Sequence, residues 1–110
     1  MEPLKPAVRW LKAYWDEEDV WFYFEADEDG WVLRQIELTG PARTPTTAAS
    51  LAEWPDASTL GIEAVRRYAS KYGALAEGPI ADWDGAPYEE IEQADFDALW
   101  ARARSQLEGT

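Results

Sequence analysis

The chain contains no cysteine and no histidine. The first absence removes disulfides, thiolate nucleophiles and cysteine zinc sites. The second removes the commonest general base, the commonest transition-metal ligand and every Ser-His or Cys-His arrangement. Basic residues are scarce as well: 10 Lys and Arg stand against 22 Asp and Glu, a formal charge of −12. Such a surface repels nucleic acid and anionic membranes and draws in a basic partner with strong salt dependence. The competing reading is that an acidic balance only keeps an aromatic-rich protein soluble. No apolar run approaches the roughly 18 residues of a membrane span, and the opening "MEPLKPAVRW" has no signal-peptide core, so the cytoplasm is the expected location. A Gly-rich phosphate loop, a dinucleotide fingerprint, internal repeats and low-complexity tracts are all missing from the sequence.

What is abundant is apolar and aromatic side chain, 46% and 14% of the 110 residues, with seven tryptophans. A disordered acidic chain does not have this composition, and the length suits one domain over residues 1–110. The segments "AVRWLKAYW" (7–15), "VWFYFEA" (20–26) and "WVLRQIEL" (31–38) are rich in β-branched and aromatic residues and read as three antiparallel strands in a meander. A loop of Glu28, Asp29 and Gly30, with Gly30 left-handed, places Val20, Phe22, Phe24, Ala26, Val32, Ile36 and Leu38 on one face, with Arg34 at its margin. That face is the expected core. The opposite face then carries Trp21, Tyr23, Glu25, Trp31, Leu33, Gln35 and Glu37. A four-residue loop over 16–19 adds Trp10, Lys12 and Tyr14 to it.

Beyond "TGPARTPTTA" (39–48), a loop leading toward a fourth strand around "TAASLAEW", helical periodicity begins. Ile62, Val65, Ala69 and Tyr72 form one stripe, with Gly73 as the stop. Residues 74–88 return to turns, "YEEIE" offers a short edge strand, and Phe96, Leu99, Trp100, Ala103 and Leu107 define the final helix. The pattern predicts an α+β fold, an antiparallel sheet of three to five strands packed on one face by two helices.

Three groups of residues are candidates for function. "EADEDG" (25–30) imitates the opening of a calcium loop, but the twelfth position is Ile36 rather than a bidentate glutamate and strands flank it, so turn closure is the expectation; the same holds for "DWDG" (82–85). Acid pairs are inevitable among so many carboxylates, yet no spacing selects a catalytic pair and the chain offers little material for a cleft. The basic stripe Arg66, Arg67 and Lys71 reads as a solvated helix face. The strongest candidate is the aromatic outer face, where Trp21, Tyr23 and Trp31 would anchor a partner while Asp16, Glu17, Glu18, Asp19, Asp27, Glu28 and Asp29 steer it in. A helix covering this face, or a homodimer contact, is the alternative, because an open patch of rings lowers solubility.

The stretches "YFEADEDGWVLRQIEL" (23–38) and "EIEQADFDALWARA" (90–103) give the chain a resemblance to a family of short uncharacterised bacterial domains. They share an aromatic strand, an acidic turn followed by Gly and an aromatic, an Arg three residues on, and a terminal helix with Phe and Trp at this spacing. Gly30, Trp31, Arg34, Phe96 and Trp100 fall on that pattern, which covers about the first 40 and last 20 residues. The resemblance implies an immunity-protein role beside bacterial toxins. The expectation is therefore a non-enzymatic acidic module, without cofactor or metal, that binds a basic protein such as a toxin or nuclease and neither nucleic acid nor membrane. The alternatives are a small-molecule or sugar-binding domain, with or without enzymatic activity, whose Trp-lined pocket is gated by Arg34, and a structural homodimer.

Overall fold

The computed structural model describes residues 8–76 and 88–109; the "DWDG" turn lies outside them. Four strands follow one another as a meander, β1 (Arg9–Trp15), β2 (Val20–Ala26), β3 (Val32–Thr39) and β4 (Thr44–Ser50). A 3-10 turn (Leu51–Glu53) and a short helix, α1 (Ala57–Leu60), lead to α2 (Ile62–Tyr72), after which come a two-residue strand, β5 (Glu89–Glu90), and α3 (Gln93–Leu107). The sheet is antiparallel with the order β4-β3-β2-β1-β5, and α2 and α3 pack against it, giving the α+β architecture that the sequence predicts. None of the helices among the described residues is long and apolar enough to cross a membrane.

The predicted three-residue hairpin loop is present: the Asp27 N–H donates to the Trp31 carbonyl at 2.9 Å, and Gly30 has φ +87°. Its consequence for the faces differs from expectation. Ala26 pairs with Val32 and Glu25 with Arg34, which leaves Leu33 as an extra residue in β3. Because side chains alternate along a strand, this bulge exchanges the faces of everything beyond it. Val20, Phe22, Phe24, Ala26 and Val32 stay together, whereas Arg34, Ile36 and Leu38 join Trp21, Tyr23 and Glu25 on the other side. The β1 register adds Trp10, Lys12 and Tyr14 to that second side, as the four-residue loop requires.

The sheet is consequently buried on two sides. On one, Leu11, Phe24, Ala26 and Val32 form a core with Phe22, Leu75, Ala76 and Tyr88. On the other, Ile36, Leu38 and Ala48 meet Phe96 and Ala103 of α3, with Trp10, Trp21, Tyr23, Ile91, Leu99, Trp100 and Leu107 around them. Two cores, rather than one, account for the high aromatic content. Ala48 and Ala103 are both fully buried, and their small side chains let helix and strand approach closely. In β4, Leu38 pairs with Pro45 and Glu37 with Thr47, so Thr46 is bulged. Pro45 is accommodated because β4 is an edge strand, with no neighbour on its far side among the described residues to need an N–H.

Candidate functional site

At one end of the sheet the β1–β2 turn (16–19) meets the β3–β4 turn. Asp19 and Arg43 adopt left-handed backbone conformations, φ +51° and +54°, which cost roughly 1–2 kcal/mol each for residues with a Cβ. Contacts between the two turns offset that cost. The Gly40 N–H donates to the Asp19 carbonyl at 2.9 Å, and Arg43 Nη1 donates to Asp19 Oδ1 at 2.6 Å and to the Gly40 carbonyl at 2.9 Å. Tyr14 donates its hydroxyl to Asp19 Oδ1 at 2.8 Å, while the Arg43 guanidinium lies 5.7 Å from the Tyr14 ring centre. Hydrogen bonds from Arg43 and Tyr14 hold the Asp19 carboxyl below the usual aspartate range, and the bond to Asp19 pushes the Tyr14 phenol up. Asp16, Glu17 and Glu18 are exposed on this pinned turn, and Trp15 beside them is 48% exposed.

The other acidic turn lies at the opposite end of β2. Asp27 Oδ1 accepts the N–H groups of Asp29 (3.0 Å) and Trp31 (2.9 Å), a side-chain turn closure of the kind expected for "EADEDG". Glu28 and Asp29 are exposed, and Trp31 is 48% exposed. Since β2 is seven residues long, the two turns are separated by roughly 20 Å or more at about 3.3 Å per residue. The acids expected to act as one steering surface therefore form two.

Trp21, Tyr23 and Arg34 are not an open anchor surface, and this corrects the expectation. Trp21 and Tyr23 are half-buried against the core under α3, with Trp21 also contacting Tyr14 (5.0 Å between ring centres) and lying beneath Lys12 Nζ at 5.3 Å. Trp31 shares the far turn rather than their cluster. Arg34 donates from Nε and Nη2 to Glu25 at 2.8 and 2.6 Å and from Nη2 to Asp97 at 2.8 Å, and sits 4.9 Å from the Phe96 ring and 5.1 Å from the Trp100 ring. Trp10 Nε1 donates to the same Glu25 at 2.9 Å. Burial pushes the Glu25 carboxyl up, but these hydrogen bonds and the Arg34 charge outweigh it and leave the pKa below the ordinary value. Arg34 thereby fastens α3 to the sheet.

A second fastening uses Arg104, whose Nε donates to the Ala48 carbonyl at 2.7 Å and whose guanidinium packs over Tyr72 (3.8 Å) and Trp100 (4.4 Å) while pairing with Glu53. The sequence pattern places Tyr14 on the outer face but gives no role to Trp15, Arg43 or Arg104. Trp15 was readable in principle as the last residue before an acidic turn. The Asp19–Arg43 contact has no sequence signal, since it depends on two hairpins ending side by side. Leu51, Leu60 and Ile62 are exposed, so Ile62 is not part of a buried stripe as its spacing suggests.

The charges are distributed unevenly. Arg9, Lys12, Arg34, Arg43, Arg66 and Arg104 each pair with a carboxylate of the fold. The exposed acids of the two turns, Asp16, Glu17, Glu18, Glu28 and Asp29, have no ion pair among the described residues. Compared with known proteins, the chain matches no protein-family model, no curated protein and no solved structure.

Proposed function

We propose that this protein is an acidic, non-enzymatic binding module whose partner is a basic protein. The observation that carries the reading is the charge distribution: most of the cations are held in internal pairs, while Asp16, Glu17, Glu18, Glu28 and Asp29 on the two β-turns face solvent without one among the described residues. A surface with a net negative charge speeds encounter with a basic surface and selects against acidic ones. The rigid β1–β2 turn reduces the ordering cost of docking. In its narrower form the module is an immunity-type inhibitor that occupies the positively charged site of a toxin or nuclease, the role implied by the resemblance of residues 23–38 and 90–103. Neither form needs a cofactor.

The test is affinity capture from lysate of the source cell with the tagged protein at low and at high salt, followed by gel filtration of the purified pair. One basic protein recovered in near-equal amount at low salt, depleted at high salt and co-eluting as a defined complex supports the module. Recovery of the bait alone overturns it.

A further inference from the structure

We infer that the partner is held by an arginine side chain stacked on Trp15 and paired with the carboxylates of Asp16, Glu17 and Glu18 in the adjoining turn. This rests on the binding-module reading and narrows it to one end of the sheet and one functional group.

The inference starts from how this chain holds its own cations. Arg34 touches Glu25 and Asp97 and lies over Phe96 and Trp100. Arg43 touches Asp19 and lies over Tyr14; Arg104 touches Glu53 and lies over Tyr72 and Trp100; Lys12 touches Glu89 and lies over Trp21. In each case one cation shares a carboxylate and an aromatic ring, so its charge is neutralised while its apolar faces are covered. Trp15 and the acids that follow it present the same two components without a cation. The Trp15 indole stacks on Phe22 at 6.2 Å and an interplanar angle of 28°, and it remains half exposed. Phe22 in turn stacks on Phe24 at 5.9 Å, so the exposed ring rests on a ladder that runs down into the core.

Charge decides the occupant. An exposed ring that the chain follows directly with exposed Asp16, Glu17 and Glu18 penalises an acidic or purely aliphatic partner and favours a cation. Arginine suits it better than lysine, because a planar guanidinium can lie flat on the indole while its edge donates to a carboxylate, whereas an ammonium is a strongly hydrated point charge. Trp31 at the far end is equally exposed, but no ring stacks on it among the described residues and its turn lacks the cross-link that Asp19 and Arg43 provide.

The experiment is calorimetric titration of hexa-arginine and hexa-lysine peptides into the full-length protein at physiological salt. It is repeated with Trp15→Leu, which keeps an apolar cover on Phe22 but has no ring, with Glu17→Gln/Glu18→Gln, and with Trp31→Ala. Hexa-arginine binding more tightly than hexa-lysine, weakened about tenfold (about 1.4 kcal/mol) by Trp15→Leu and by the double amide variant but unchanged by Trp31→Ala, supports the inference. Thermal unfolding of each variant shows that the effect is not loss of fold. Equal binding of both peptides, no binding of hexa-arginine, or loss only with Trp31→Ala overturns it. None of these outcomes affects the capture experiment, so this inference can fail while the binding-module reading stands.

Discussion

Arg34 on β3 reaches Asp97 on α3, 63 positions away in sequence, with Nη2 at 2.8 Å from Oδ1. The same guanidinium pairs with Glu25, whose side chain is only 14% exposed. Removing a cation from a shielded carboxylate leaves that charge uncompensated, which costs more than the pair itself contributes. Arg34→Ala should therefore lower the unfolding free energy by about 2–4 kcal/mol in urea titrations, given a pair that is mostly but not fully buried. Asp97→Asn should cost less than about 1 kcal/mol, because Asp97 is 46% exposed and its attraction is screened. Equal losses from the two variants would show that the pairing with Glu25 is not the dominant contact.

Acid should loosen the attachment of α3. Burial pushes the Glu25 carboxyl up but the bonds from Arg34 and Trp10 hold it below its ordinary 4.5, and the Arg104 hydrogen bond does the same for Glu53. A carboxylate with a lowered pKa in the folded state contributes stability that is fully present above the unfolded value and disappears as pH falls through the folded one. Thermal midpoints should thus be flat from neutral pH down to about 5 and fall steeply below about 4.5. Glu53→Gln should reduce that slope. A midpoint that rises on acidification would mean that relief of repulsion among the many acids outweighs both fastenings.

Gly73 ends α2 at φ +81°, and a Cβ placed there would lie 2.8 Å from Thr47 Cγ2 and closer still to its hydroxyl oxygen. Gly73→Ala combines an unfavourable backbone conformation with a collision against a buried strand residue, so a loss of about 2 kcal/mol or more is expected. Gly40, also at positive φ, has open space around it. The matching Gly40→Ala should show the backbone cost alone, about 1 kcal/mol. Chemical denaturation of the pair separates the two contributions.

The elements of the fold are legible in the sequence because each has a local cause. Gly30 permits the hairpin, Gly73 stops α2, and the spacing of Phe96, Leu99, Trp100 and Leu107 marks the buried face of α3. The faces of the sheet are not legible, because one unpaired residue, Leu33, inverts the alternation of β3, and nothing in the identity of Leu33 announces a bulge. This single displacement moves Ile36 and Leu38 beside Trp21 and Tyr23 and turns an expected binding surface into a second core. Of the candidate site, the exposed acids are readable from composition and turn chemistry. Their division between two ends follows from topology, and Trp15 gains its standing only when its neighbours on β2 are known.

Trp21 and Trp31 provide the sharpest check on that division, since alternation alone treats them as partners on one surface. Trp21 packs against the α3 core and contacts Tyr14 and Tyr23, at 5.0 and 6.3 Å between ring centres. Truncating it leaves a cavity beside Leu38 and removes the ring under Lys12, so Trp21→Ala should cost about 3 kcal/mol. Trp31 is half exposed, and its structural contribution is made by its backbone, through the N–H given to Asp27 and the carbonyl that accepts from it. Alanine preserves both bonds, so Trp31→Ala should change stability by no more than about 0.5 kcal/mol. Urea unfolding of the two single variants decides the matter. Similar small effects would place both rings at the surface and restore the single aromatic face, whereas similar large ones would mean that Trp31 is covered.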